Sequence, residues 1–207
     1  MKNIVSSDFF TQQEVAEIKS CIQDQLETRE HVLWDVEIDT STYKKDIVKI
    51  QSEQLGRLTI NGLNFPSHIL DKVTKYVLDN NELSDKAELV GGGVTYGEYG
   101  GKYGMPRLQP HLDGGTCGII LDYQLESNVV WPIGIEYDTV ELKDNEAMIL
   151  YPLTQYHWRP VRKFAEDEYV KMIFFEFHTE GITRKRDEEK ESALHQFSNN
   201  FYKGDNK

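Results

Sequence analysis

The sequence predicts an α+β protein whose core is mainly β-sheet, with helices near its N-terminal end. Two helical patterns of apolar residues occur before residue 80. From residue 89 onwards, short apolar runs alternate with clusters of Gly, Pro, Asp and Asn. Many short strands joined by such turns are typical of an antiparallel sandwich or barrel. The length of 207 residues fits one domain with short extensions.

The first helix is predicted over residues 11–26. Thr11 and Glu14 form a capping box, in which each side chain accepts a hydrogen bond from a backbone N–H of the first turn. Apolar residues then recur at helical spacing, at Val15, Ile18, Ile22 and Leu26. A similar stripe predicts a second helix over residues 67–78.

Short apolar runs bounded by turn residues predict the strands. Two lie between the helices and five follow them, at 32–38, 46–50, 89–96, 118–124, 133–137, 147–151 and 169–177. A run of mixed charges then predicts a charged tail or a solvated helix over 183–207. We therefore expect one domain over residues 1–182.

The composition limits the classes of partner. Asp and Glu number 35 against 23 Lys and Arg, which gives a net charge of −12. An acidic surface repels phosphate backbones, so duplex nucleic acid is not expected as a partner. No apolar run is long enough to span a membrane, and the first residues lack the apolar block of a signal peptide. With two cysteines, Cys21 and Cys117, we expect free thiols and a cytoplasmic protein.

Three residues are the strongest candidates for chemistry. His111 and Asp113 are two positions apart, so on a strand their side chains point to the same face. Gly114 and Gly115 follow and predict a turn. His157 comes much later, after the predicted strand at 147–151. Two histidines and one carboxylate are the donor set of non-haem Fe(II) oxygenases, in which three metal positions stay open.

Lys171 is unusual because it shares one face of the last predicted strand with aromatic and aliphatic residues. Burial of a lysine without an anionic partner is costly. Either Lys171 lies at a sheet edge and extends to water, or it binds an anionic ligand. The sequence leaves both interpretations open.

Taken together, these segments resemble the Fe(II)- and 2-oxoglutarate-dependent dioxygenases, and most of all their prolyl-4-hydroxylase branch. The resemblance covers roughly residues 5–180. It rests on segments in the expected order, namely 8–14 (DFFTQQE), 99–104 (YGGKYG), 110–114 (PHLDG), 134–136 (GIE), 147–151 (AMILY), then His157, Pro160, Val161 and Lys171.

The resemblance implies a double-stranded β-helix, which is a cupin-like jelly roll, with the N-terminal helices outside it. It also implies that His111, Asp113 and His157 bind Fe(II). The cofactors would be Fe(II), 2-oxoglutarate as co-substrate and O₂, with ascorbate as a further candidate. A carboxylate at position 113 favours hydroxylation, desaturation or ring closure over halogenation.

The resemblance further assigns the far carboxylate of 2-oxoglutarate to a basic residue, for which Lys171 is the best match. Tyr99 is the preferred tyrosine partner, Tyr96 is the reserve, and Tyr123 is a candidate for a second hydroxyl. The segment between His157 and Lys171 is longer than usual in the family, so Arg159 and Arg162 are rivals for the basic role.

The function expected from the resemblance is hydroxylation of an unactivated C–H bond, with release of succinate and CO₂. The substrate would be an amino acid, a peptide or a small natural product, and the protein a monomer or homodimer. Two alternatives remain open. One is a zinc hydrolase, since two histidines and an aspartate also suit zinc. The other is a jelly-roll binding protein without catalytic activity.

Overall fold

The computed structural model describes residues 3, 5–28, 32–34, 57–83, 86–103, 106, 108–184 and 186–201. Three α-helices occur in them, α1 (Gln12–Thr28), α2 (Ser67–Asn80) and α3 (Glu188–Asn200). The strands in the same residues are β1 (Val5–Ser6), β2 (Val32–Trp34), β3 (Arg57–Asn61), β4 (Glu88–Gly100), β5 (Leu108–His111), β6 (Cys117–Ser127), β7 (Ile133–Ile135), β8 (Asp138–Val140), β9 (Glu146–Leu150), β10 (His157–Arg159) and β11 (Tyr169–His178).

The strands form two sheets whose pairings are antiparallel throughout the described residues. The larger sheet has seven strands in the order β1-β9-β6-β11-β4-β3-β2, and the smaller has four in the order β5-β10-β7-β8. This confirms the prediction of a mainly antiparallel β-core with N-terminal helices, and the architecture is that of a jelly roll.

The predicted capping box forms at the start of α1. The Thr11 N–H donates to Glu14 Oε2 at 2.7 Å, and the Glu14 N–H donates to Thr11 Oγ1 at 3.2 Å. Helix α2 starts at Ser67 as predicted and ends two residues beyond the predicted end. Both helices cover one face of the larger sheet, where their apolar stripes pack against its outward-facing residues.

Three strand predictions differ from the structure or lie wholly or partly outside it. The strand predicted over 133–137 is a hairpin of β7 and β8, because the chain turns at Glu136, whose φ is 57°. The strand predicted over 46–50 lies outside the described residues, and only part of the one predicted over 32–38 is described.

The larger sheet is buried on both faces, and this arrangement positions the site. Odd-numbered residues of β11, such as Ile173 and Phe175, face the helices. Even-numbered residues, such as Val170 and Met172, face the smaller sheet. The even-numbered residues of β11 therefore form one wall of the space between the two sheets.

The charged C-terminal segment contains helix α3, which packs against the jelly roll. Asp187 caps the helix by accepting a hydrogen bond from the Lys190 N–H at 3.0 Å. Leu194 is fully buried, in a cluster with Leu112 and Tyr156. Both of these neighbours are adjacent in sequence to the candidate site residues. None of the described helices has the length and apolarity that a membrane span requires.

Candidate metal centre and cavity

Pairing of two short strands brings the candidate residues together. His111 ends β5 and His157 begins β10, and the two histidines are direct antiparallel partners. Asp113 lies just after β5, where its N–H donates to the carbonyl of Pro152 at 2.9 Å. Residues far apart in the sequence are therefore fixed by backbone hydrogen bonds on one edge of the cavity.

The three side chains are close enough to bind one metal ion. One potential ligand atom from each of them lies within 4.8 Å of the others. Asp113 Oδ1 is 3.2 Å from Nε2 of His111 and 3.5 Å from Nε2 of His157. The two imidazole rings are 4.2 Å apart between centroids.

Backbone carbonyls hold both imidazoles in an orientation suited to metal binding. Nδ1 of His111 donates to the Gln109 carbonyl at 2.7 Å, and Nδ1 of His157 donates to the Gln155 carbonyl at 3.3 Å. Such bonds fix the tautomer with the proton on Nδ1. They leave the unprotonated Nε2 atom to bind a metal ion. Both Nε2 atoms face Asp113.

The electrostatics of the cluster also suit a cation. Burial and the neighbouring His111 lower the pKa of His157 to about 4, which keeps its ring neutral. Burial opposes the charging of His111, but the Asp113 carboxylate outweighs it and raises the pKa of His111. Burial likewise opposes ionisation of Asp113, yet its hydrogen bond to His111 holds the pKa of Asp113 below its ordinary value. The neutral imidazole of His157 and the ionised carboxylate of Asp113 are the forms that bind metals, and the anion that raises the pKa of His111 also attracts a metal cation.

The cluster opens into a cavity of about 260 Å³ between the two sheets. Tyr99 and Arg159, both predicted as co-substrate contacts, line this cavity with the three cluster residues. Arg159 is 6% exposed, and its guanidinium lies 4.6 Å from the centroid of the Trp131 ring. It also donates to the Trp131 carbonyl. Tyr99 packs edge-on against the same tryptophan at 4.9 Å.

Lys171 does not reach the cavity. It belongs to the odd-numbered set of β11, and its Nζ lies 3.8 Å from Glu126 Oε1 and 4.7 Å from the Tyr169 ring. Lys19 of α1 pairs with the same glutamate at 2.7 Å, which marks this as the helix-covered face. This placement does not support the expectation that Lys171 binds the co-substrate carboxylate.

The two other candidate tyrosines, Tyr123 and Tyr96, also lie on the helix-covered face of the larger sheet. Tyr123 is fully buried, donates to Asn145 Oδ1 at 3.0 Å and packs edge-on against Phe10. Tyr96 donates to Glu98 Oε2 at 2.9 Å in the same layer. This placement does not support the expectation that Tyr123 contacts the co-substrate. Arg162 pairs with Glu168 at 3.0 Å and is not among the residues that line the cavity.

Sequence reasoning missed three charged residues in the cavity wall, Arg57, Asp122 and Glu176. Arg57 lies on β3 opposite Tyr99, and its Nη1 donates to the tyrosine hydroxyl at 3.3 Å. Asp122 carried a usable signal, because it is an acidic residue inside an otherwise buried strand. Glu176 alternates with Phe175 and Phe177, a pattern that suggests a solvent-facing position, but here this face meets the smaller sheet.

The fold and the cluster together define a jelly-roll protein with two histidines and one carboxylate at its cavity. Among solved structures, the chain is similar to a prolyl hydroxylase from Trichoplax adhaerens in complex with a hypoxia inducible factor peptide fragment. The TM-score is 0.55 and the identity 10%, over 92% of this chain and 86% of that one.

Two further structures extend the likeness beyond prolyl hydroxylases. The α-ketoglutarate-dependent epimerase SnoN from nogalamycin biosynthesis has a TM-score of 0.57 and 11% identity, over 85% of this chain and 76% of that one. HygX from Streptomyces hygroscopicus, solved with nickel, 2-oxoglutarate and hygromycin B, has a TM-score of 0.54 and 11% identity, over 89% and 85%. The chain thus has the fold of the 2-oxoglutarate- and Fe(II)-dependent oxygenases, as the resemblance predicted. No family model and no curated protein matches its sequence.

Proposed function

We propose that the protein is an Fe(II)- and 2-oxoglutarate-dependent oxygenase. The observation that carries the proposal is the convergence of His111, Asp113 and His157 at the cavity of this jelly roll. Their donor set fits ferrous iron and leaves positions for a bidentate ligand and O₂. When bound, iron and 2-oxoglutarate would supply the oxidation of a substrate C–H bond, with release of succinate and CO₂.

We assign the far carboxylate of 2-oxoglutarate to Arg159, with Tyr99 as its hydroxyl partner. Arg159 lines the cavity beside the metal cluster, and a guanidinium can bind a carboxylate through charge-assisted hydrogen bonds. Stacking on Trp131 fixes the orientation of Arg159 and removes it from water. Arg57 adds a second positive charge beside Tyr99. These residues would bind and orient the co-substrate, and the buried apolar wall would exclude water.

Three variants test this assignment. In anaerobic wild-type protein, Fe(II) and 2-oxoglutarate should produce a visible charge-transfer band, and Asp113→Ala should abolish it. Arg159→Ala should raise the 2-oxoglutarate concentration needed at least tenfold, because a charge-assisted hydrogen bond is worth about 1.5–3 kcal/mol. Lys171→Ala is the matched control and should leave that requirement unchanged.

Other outcomes would contradict parts of the proposal. A band that survives in Asp113→Ala would exclude the cluster as the metal site. Equal effects of Arg159→Ala and Lys171→Ala would remove Arg159 from its assigned role. Turnover that needs zinc but not 2-oxoglutarate would favour a hydrolase instead.

The substrate proposed is a peptide, an amino acid or another small molecule. Support comes from the neighbouring structures, since one was solved with a peptide and another with hygromycin B. We propose hydroxylation as the reaction, although an epimerase shares the fold. Succinate release, screened against amino acids, peptides and nucleosides, tests the substrate class, and a product that gains one oxygen atom by mass spectrometry tests hydroxylation. Cys21 and Cys117 are free thiols, which supports the proposed cytoplasmic location.

A further inference from the structure

Two acidic side chains in the cavity have no part in the proposed iron and 2-oxoglutarate chemistry. They are Asp122 of β6 and Glu176 of β11. We propose that Asp122 and Glu176 form a subsite for a positively charged nitrogen of the substrate, either an ammonium or a guanidinium group. The identification of this ligand as the substrate rests on the proposed function, whereas the existence of the subsite does not.

The strand register places the two carboxylates side by side. Phe174 of β11 pairs with Asp122, and Glu176 pairs with Ile120 of β6. Asp122 and Glu176 are therefore diagonal neighbours on the same face of two adjacent strands. Backbones of such neighbours are about 7–8 Å apart, measured between Cα atoms. Both side chains line the cavity, so one cationic group between them can contact both carboxylates.

Asp122 is a buried acid on which the charge of Arg159 acts. It is 5% exposed, and in the described part of the chain its carboxyl group makes no hydrogen bond or ion pair. Burial raises the pKa of Asp122 to about 7, and the charge of Arg159 only partly offsets this effect. A buried carboxylate is costly unless a cation or hydrogen-bond donor accompanies it. A ligand that enters the cavity with a positive charge would supply this partner.

Glu176 extends the same acidic surface towards the metal cluster. It is half-buried, and burial together with the charge of Asp113 raises the pKa of Glu176. Asp113 also acts on the carboxyl group of Asp122. Both acids therefore lie within electrostatic range of the proposed metal site, although neither belongs to the cluster of ligand atoms.

The cavity wall carries charges of both signs. Arg57, Tyr99 and Arg159 are linked through the ring contacts of Trp131 with Tyr99 and Arg159 and the hydrogen bond between Arg57 and Tyr99. Asp122 and Glu176 lie on adjacent strands, and the charge of Arg159 acts on Asp122. The 2-oxoglutarate dianion would neutralise the charge of Arg159 and be repelled from the two acids. Asp122 and Glu176 would then favour a second ligand of opposite charge.

Calorimetric titration with pairs of small probes tests the subsite without turnover. The cationic probes are n-pentylammonium and n-butylguanidinium, and their neutral counterparts are n-pentanol and n-butylurea. Both metal-free protein and the anaerobic protein with Fe(II) and 2-oxoglutarate are titrated. Each cation should bind at least tenfold more tightly than its neutral counterpart.

Isosteric variants locate the binding. Asp122→Asn and Glu176→Gln should each weaken binding of the cations at least tenfold and leave the neutral probes unchanged. Glu88→Gln removes an exposed acid of β4 and is the control for general attraction to the negatively charged protein. Thermal unfolding of each variant confirms that it is folded, and half-buried Glu176 offers a test that does not disturb a fully buried position.

The outcomes separate this inference from the proposed function. It is wrong if the cations bind no more tightly than their neutral counterparts, or if Glu176→Gln binds them like the wild type. It is also wrong if Glu88→Gln weakens binding as much as the cavity variants do. If wild-type protein binds the cations but forms no band with Fe(II) and 2-oxoglutarate, the subsite stands and the oxygenase proposal fails.

Discussion

Burial and charge act in opposite directions on the single carboxyl group of Asp122. Burial raises its pKa from the ordinary value of 3.8 to about 7, against the opposing charge of Arg159. The folded protein therefore holds the proton more tightly than the unfolded chain does. Asp122 therefore contributes most to the free energy of unfolding at pH values below its pKa in the unfolded chain. This contribution is lost as the pH rises to about 7, the pKa in the folded protein.

We therefore expect Asp122→Asn to stabilise the metal-free protein more at pH 8 than at pH 5. The difference between wild type and variant should grow by at most about 1.4 kcal/mol per pH unit within this window. Urea unfolding at the two pH values measures it, and Asp138→Asn, at an exposed position, is the control. A difference that is the same at both pH values would contradict the raised pKa.

The sequence predicted the metal candidates because their signal is local. His111 and Asp113 needed only the two-residue period of a strand to share a face. The pairing of His157 with His111 depends on how β10 meets β5, which the sequence does not state. The prediction that His157 joins His111 therefore depends on the donor set of two histidines and one carboxylate and on the family resemblance.

At the level of elements, alternation along β11 predicts which residues share a face but not what covers each face. In a sheet with one solvated face, a lysine among apolar residues would point to a ligand pocket. Here helices cover one face of the larger sheet and the second sheet covers the other, so both sets of alternating residues are buried. Lys171 and Tyr123 face the helices for this reason. Alternation alone could not tell which buried face contains the cavity.

The pairing of β7 with β10 depends on a close approach at Gly134. Trp158 pairs with Gly134, and a Cβ added at this glycine would lie 1.9 Å from the indole ring. A β-carbon there must displace Trp158, which is fully buried and adjacent to His157. We expect Gly134→Ala to shift β10 and to weaken metal binding at least tenfold, since ligand geometry tolerates little displacement.

Gly91→Ala is the matched control, because no atom lies within 4 Å of the Cβ it would add. Metal titration, followed by calorimetry, compares the two variants with the wild type. Unchanged metal affinity in Gly134→Ala would mean that the Trp158 side chain moves without moving the backbone of His157.

Across the whole molecule, the sequence predicted the class of fold better than the arrangement of its cavity. The short apolar runs after residue 89 and the two helical stripes predict an antiparallel sandwich or barrel with N-terminal helices, and the jelly roll itself is what the family resemblance implies. The cavity combines residues of β3, β4, β6, β10 and β11, whose neighbours come from distant parts of the chain. Arg57 lies in the cavity wall because β3 pairs with β4. No local sequence pattern predicts this long-range contact.

Metal binding should therefore stabilise the fold as a whole. The proposed ligands come from β5, β10 and the residues after β5, and only the folded chain brings them together. Mn(II), a redox-stable substitute for Fe(II), should raise the free energy of unfolding by about 2.7 kcal/mol at one hundred times its Kd. For a chain of this size we expect Tm to rise by about 5–10 °C. Asp113→Ala should lose the shift and Lys171→Ala should keep it, as thermal unfolding with and without Mn(II) will show. An equal shift in Asp113→Ala would mean that the metal stabilises the protein from another site, because the two histidines alone provide too few ligands to hold it.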